Sequence, residues 1–202
     1  MLGKIVILLT LIFIFFVIRK ERNIKRINIG EQEVNNILSK IKGYKLLNDI
    51  MVKGEKGTSQ IDHILIGKKG IFVIETKDFS GVIYGEQYSK YWTQIINRNS
   101  HEFYNPIRQN YGHIKSLEKY IKRNDIFISV IVFTNKSKLK KVKTETPVIQ
   151  LYKLKRFIKR YKSDIRLSKK EIDEIYNLIK KSNINSKRER KKHVKRIIKN
   201  IS

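Results

Sequence analysis

The 202-residue chain contains no cysteine. Disulfides, zinc–thiolate centres and thiol nucleophiles are therefore excluded, and a reducing compartment suits the chain. Its four histidines, His63, His101, His113 and His193, lack the close spacing of a structural zinc site. There is no glycine-rich phosphate loop and no internal repeat. Acidic residues are scarce: 18 Asp and Glu stand against 45 Lys and Arg, a formal charge of +27. Such an excess favours polyanionic partners, either nucleic acid or anionic lipid. A composition rich in Lys, Ile and Asn accounts for part of it, but not for the clustering of Lys and Arg at both ends.

What is present begins with an apolar segment. Ile5 to Ile18 reads IVILLTLIFIFFVI, fourteen residues without a charge, preceded by Lys4. Eighteen residues of helix span roughly 27 Å, just short of a hydrocarbon core of about 30 Å, with Lys4 able to snorkel. A cleaved secretory signal needs positive charge before the run and small residues after it, whereas Arg19, Lys20, Arg22, Lys25 and Arg26 follow it here. The segment reads as an uncleaved single-pass anchor over residues 1–19, with a basic juxtamembrane linker over 20–29. The positive-inside rule then places the rest of the chain in the cytoplasm, at the cell membrane. One domain over residues 30–182 and a basic tail over 183–202 complete the organisation.

Within the domain, Val34, Ile37, Leu38 and Ile41 recur at helical spacing between Gly30 and Gly43. Apolar, β-rich runs follow at Tyr44 to Val52, Gln60 to Ile66 and Ile71 to Thr76, with a shorter strand at Gly81 to Tyr84. Asn105 and Pro106 cap a helix whose stripe is Ile107, Tyr111, Ile114, Leu117 and Ile121. Ile126 to Phe133 is a continuous apolar run, the pattern of a strand covered on both faces. Lys136 to Lys143 reads as a charged loop. Leu154, Phe157, Ile158 and Tyr161 mark another helix, and a capping box at Ser168 and Glu171 starts one more.

The chemistry concentrates in QIDHILIGKKGIFVIETK, Gln60 to Lys77. A tight hairpin at Gly67 to Gly70 makes paired positions sum to 137, setting Asp62 opposite Glu75 and Gln60 opposite Lys77. Strand alternation then puts Gln60, Asp62, Glu75 and Lys77 on the face shared by Ile64, Ile66, Ile71 and Val73. Two facing carboxylates repel unless a cation lies between them. Hard oxygen ligands from Asp62 and Glu75, with the backbone carbonyl of Thr76, suit Mg²⁺ or Mn²⁺. Lys77 is placed to orient or deprotonate a water, or to stabilise charge on a phosphoryl transition state. The alternative is a surface Asp–Lys–Glu cluster worth little.

GEQEV at Gly30 to Val34, that hairpin, Gly81, Trp92 and NPIRQNYGHIKSLEKYI from Asn105 together resemble the nuclease-related domain (NERD) family, over roughly Gly30 to Phe133. That family is assigned to the PD-(D/E)xK restriction-endonuclease-like superfamily. The resemblance implies an α/β fold with a mixed central sheet flanked by helices, behind the N-terminal transmembrane helix. It also implies a divalent metal, Mg²⁺ or Mn²⁺, and DNA as the partner cleaved or processed. By the same resemblance the catalytic set is Asp62, Glu75 and Lys77, with Glu31 as the helix glutamate and Gln109 as a helix glutamine that positions DNA. Ile61 stands where the superfamily has proline. A nuclease-fold module that binds nucleic acid or a partner at the membrane without turnover is the alternative function. Of the other residues, His113 reads as a solvated or cap-like histidine, His63 as packed on the face away from Asp62, and Trp92 with Tyr84, Tyr88 and Tyr91 as a satellite core. The lysines from Lys136 to Lys143 and the basic tail are candidates for phosphate or anionic lipid.

Overall fold

Apolar strands with tight turns between them favour local pairing, and a helix long enough to cross a sheet then permits a parallel return. The computed structural model of the chain follows that logic and describes residues 29–55 and 57–201, with side chains as far as Arg196. The expected anchor and nearly all of the linker lie outside the described residues. Among the described residues, no helix is long and apolar enough to cross a membrane.

Helix α1 occupies residues 29–38. Strands β1 (Tyr44–Gly54), β2 (Gly57–Gly67) and β3 (Gly70–Lys77) form an antiparallel meander. Strands β4 (Gly81–Glu86), β5 (Tyr91–Ile96) and β6 (Asn99–Tyr104) come next, and helix α2 (Pro106–Ile121) leads to β7 (Phe127–Phe133), parallel to β3. Strands β8 (Ser137–Lys143) and β9 (Val148–Gln150), a 3-10 turn and helices α3 (Leu154–Arg160), α4 (Lys169–Ser182) and α5 (Lys187–Ile201) complete the described chain. The strands make two mixed sheets, β1-β2-β3-β7-β9 and β6-β5-β4-β8.

Helices cover both faces of the five-stranded sheet. On one side, Ile114 and Leu117 of α2 with Ile172, Ile175 and Ile179 of α4 pack on Ile64, Ile66, Ile71 and Val73. On the other, Val34 and Leu38 of α1 with Leu154 and Ile158 of α3 pack on Leu65, Phe72, Ile74 and Val130. Ile71 through Ile74 are completely buried, each contributing about 1.5–3 kcal/mol of apolar burial. The expected strand over Ile126 to Phe133 thus has both faces covered, and it pairs with β3 and β9 at its two edges.

The expected caps are present. Asn105 accepts from the Ile107 amide at 2.9 Å, while its Nδ2 donates to the carbonyls of Glu86, Gln87 and Ser89, so one side chain starts α2 and ties it to the β4–β5 loop. Ser168 and Glu171 form the reciprocal capping box of α4.

Three expectations need correction. The charged stretch read as a loop is strand β8, parallel to β4. Leu139 and Val142 both reach the apolar cluster beneath it, and the irregular register and positive φ of Lys141 (52°) hide the alternation that marks a strand. Strands β5 and β6 were not anticipated either, since β6 reads NSHEFY and buries almost nothing. Beyond Asn183 the basic sequence forms α5 and docks on the β1–β2 hairpin. Arg190 Nη1 donates to both carboxylate oxygens of Asp49 at 2.7 Å, and the His193 ring lies 2.9 Å from Thr58 Oγ1.

Candidate active site

The two-residue turn between Gly67 and Gly70 sets the register of β2 against β3, and every pair from Gly67↔Gly70 to His63↔Ile74 sums to 137. The ladder stops there. Ile61 and Ile64 lie an odd number of residues apart yet join the same apolar cluster, as do Leu47 and Ile50 opposite, so alternation breaks in both strands at one level. The break coincides with Asp49, held at φ 51°. One predicted neighbour is lost in consequence: Gln60 pairs with Met51 in β1 and donates to Asp49 at 2.7 Å, and does not lie opposite Lys77.

Asp62 is released from the ladder and accepts from the backbone N–H of Thr76 at 2.8 Å. A strand residue directs its N–H and its C=O to the same edge, so the Thr76 carbonyl points to the edge where Asp62 lies. Glu75, 2% exposed, projects to the α2 side. Lys77 Nζ donates to Glu75 Oε1 at 2.7 Å and to Gln109 Oε1 on α2 at 2.9 Å. The structure therefore brings Asp62, Glu75, Lys77, Thr76 and Gln109 together where the β2–β3 ladder ends, at the middle of β2 and the C-terminal end of β3. Glu31, half-buried in the first turn of α1, faces the same end closely enough for the charges of Asp49 and Glu75 to act on it. Gly30 permits this approach, because a Cβ there would lie 2.7 Å from Cβ of Asp78.

His113 is the residue that sequence reading misplaced. It is buried, with Nδ1 2.7 Å from Ser59 Oγ and Nε2 3.2 Å from Glu75 Oε2. The signal was its spacing, four residues beyond Gln109 and hence on the same side of α2. Asn110 was also missed. Its Nδ2 donates to the Val73 carbonyl and to Ser129 Oγ, both at 2.8 Å, locking α2 to the sheet between the two site residues of the helix. His63 is packed as anticipated, with Nδ1 2.8 Å from Asn48 Oδ1, and burial lowers its pKa from 6.5 to about 4.

The electrostatics divide the acids. Burial, then Glu75 and Glu31, push Asp62 well above the usual carboxylate range. Burial and the charges of Asp49 and Glu75 likewise raise Glu31. Burial acts upward on Glu75 as well, but Lys77 and His113 outweigh it and hold that carboxyl below its ordinary value. Negative charge is thus crowded beyond what one ammonium neutralises.

That crowding is the physical case for a divalent cation. Asp62, Glu75 and the Thr76 carbonyl offer hard oxygen donors, and among the described residues the buried Glu75 Oε2 has no neighbour closer than the His113 ring at 3.2 Å, outside good hydrogen-bond geometry. Among the described residues, no three His, Cys, Asp or Glu side chains form a ready-made metal cage. The donor set fits an ion that keeps several waters, as Mg²⁺ and Mn²⁺ do.

Comparison with known proteins agrees with the geometry. Residues 27–134 match the model of the nuclease-related domain, a stretch that includes every site residue named above. An uncharacterized protein of Bacillus anthracis is 41% identical over 172 residues, covering 82% of this chain and 81% of that protein. No solved structure matches the chain.

Proposed function

The chain belongs to the nuclease-related domain family, and on that footing we propose that it is a Mg²⁺- or Mn²⁺-dependent nuclease that hydrolyses DNA phosphodiester bonds. The observation that carries this reading is the meeting of Asp62, Glu75 and Lys77 at the broken end of the β2–β3 ladder, with Lys77 held between Glu75 and Gln109. Asp62, Glu75 and the Thr76 carbonyl would hold the ion, with Glu31 close by. When bound, such an ion draws charge from phosphate oxygens and acidifies its water.

The protein's own contribution is orientation and charge. An ammonium has three donors, and two of those on Lys77 are committed to Glu75 and Gln109. The third remains for a water or a phosphate oxygen, in a site too dry for the charge to be screened. His113, whose ring is held by Ser59, lies 3.2 Å from the other oxygen of Glu75, so the carboxylate that aligns Lys77 has a cation-forming neighbour on each side. The net charge of +27 favours the approach of polyanions to the protein as a whole.

On this reading the N-terminal apolar segment makes the protein a single-pass protein of the cell membrane with this domain on the cytoplasmic side, where DNA close to the membrane is within reach. Fusing a topology reporter to the C-terminus checks this, and an external signal rules out the proposed orientation. For the activity, the full chain in detergent is incubated with supercoiled, linear and single-stranded DNA under EDTA, Mg²⁺ or Mn²⁺. Cleavage that needs metal and disappears in Lys77→Ala is the expected result. Absence of metal-dependent cutting, or cutting unchanged by that substitution, removes the enzymatic reading. DNA binding that persists without cutting then identifies a non-catalytic nuclease-fold module.

A further inference from the structure

The aromatic residues grouped by the sequence separate in space. Trp92 is buried, stacked against Phe133 at a 4° interplanar angle, and donates to the Glu86 carbonyl. Gly85 lets the indole lie flat, since a Cβ there would fall 2.1 Å from the ring. The tyrosines around it are left outside. Tyr88 is 75% exposed, Tyr111 59%, and Tyr91 and Tyr104 47% each.

Two of these rings adjoin, and the other two flank the start of α2. Tyr91 and Tyr104 are cross-strand partners on β5 and β6, with centroids 6.3 Å apart. Tyr104 precedes the cap of α2, and Arg108 on the first turn of that helix donates to the Tyr88 carbonyl at 3.0 Å. Tyr111 and Lys115 continue along the outer face of α2, because positions 108, 111 and 115 lie on one helical stripe. Cations alternate with the rings: Lys90 sits 5.1 Å from the Tyr91 centroid and Lys115 5.4 Å from that of Tyr111. Farther along the same stripe Glu118 pairs with Lys115 at 2.7 Å, which leaves Lys90 and Arg108, nearer the start of the helix, as the cations of the strip without an acidic partner among the described residues. Gly112, beside Tyr111, opens the way from the stripe toward Gln109 and His113, for a Cβ there would meet nothing within 4 Å.

We propose that this tyrosine and cation strip, leading along α2 to Gln109 and Lys77, is a binding surface for single-stranded nucleic acid that delivers a strand to the candidate active site. Exposed rings stack on bases only where the bases are free of a partner strand, and the alternating cations meet the phosphates between them. A duplex hides its base faces and offers the rings nothing to stack on. The proposal rests on the nuclease reading for its direction, and it names the form of substrate that reading leaves open.

The test measures binding apart from turnover. Full-length protein in detergent is titrated in EDTA with fluorescent oligothymidine and with a duplex of equal length, and again after Tyr88→Ala with Tyr111→Ala. Tighter binding of the single strand, about tenfold or more weaker in the alanine variant and retained when both positions are Phe, is expected. Equal affinity for single strand and duplex, or affinity unmoved by the alanine changes, overturns the proposal even if the protein cuts DNA. Mixed micelles of phosphatidylserine form a parallel arm. Micelle binding that falls in the alanine variant while oligothymidine binding does not assigns the strip to lipid and also overturns it. Strand binding with the expected pattern but no metal-dependent cutting sustains the strip and removes the nuclease reading alone.

Discussion

The two sheets bury their residues very differently. In β3 the first six of eight residues are buried, whereas β6 buries none fully and Tyr91 on β5 stands half open to solvent. The five-stranded sheet has helices on both faces. The four-stranded sheet packs on an apolar cluster from Ile83, Trp92 and Phe133 and leaves its remaining surface to Tyr, Lys and other polar side chains. The proposed chemistry, which needs groups fixed to a fraction of an ångström, falls on the first, at the point where its ladder ends. The proposed recognition, which tolerates movement, falls on the second and on the outer stripe of α2.

Substitutions should break this contrast unevenly. The largest effect falls on the rigid sheet: Glu75→Gln or Lys77→Ala should lower the cleavage rate by about 10²–10³-fold, read in a plasmid assay, while Tyr91→Ala leaves duplex cutting within a few-fold. Next, Phe72→Ala should cost roughly 3–5 kcal/mol in denaturant unfolding, against about 0.5 kcal/mol or less for Lys138→Ala on β8.

The pH response also belongs to the covered sheet. The pKa of His63 falls from 6.5 to about 4 on folding, so its contribution is complete above 6.5 and is lost as pH drops through 4, a change on the order of 3 kcal/mol. His63→Gln should flatten the wild-type stability profile in that window. Asp62 behaves with the opposite sign. Its pKa is raised on folding, so its contribution is full below the ordinary value of 3.8 and is lost as pH rises through the folded value. Asp62→Asn should therefore raise the melting temperature of the metal-free protein at pH 7. Mn²⁺ should stabilise the wild type by about 2.7 kcal/mol at a hundredfold excess over its dissociation constant, and that variant much less. Equal stabilisation of both would place the ion elsewhere.

The hairpin register was legible because two glycines around two lysines leave one short turn, and a turn of that length dictates every pair above it. The helix caps were legible for the same reason: Asn105 with Pro106 and Ser168 with Glu171 act within a few residues of themselves. The break beside Asp62 was not legible. It depends on the backbone of Asp49, which Arg190 grips from 141 residues away. Of the second sheet only β4 was legible; β5, β6 and β8 were not, because their strands alternate weakly where one face needs no core. His113 was hidden by its chemistry, since a histidine on a basic helix has no mark of burial until Ser59 and Glu75 are seen beside it.

The placement of Glu31 at the candidate site has a consequence of scale. Glu31 lies thirteen positions beyond Ile18, the last of the apolar run, and that length of chain reaches at most about 45 Å when fully drawn out. With the run embedded in a bilayer as proposed, the catalytic end of the domain patrols a shell scarcely deeper than the domain is wide. Nucleic acid in the cell interior would be spared, and strands arriving at or leaving through the envelope would meet the enzyme first.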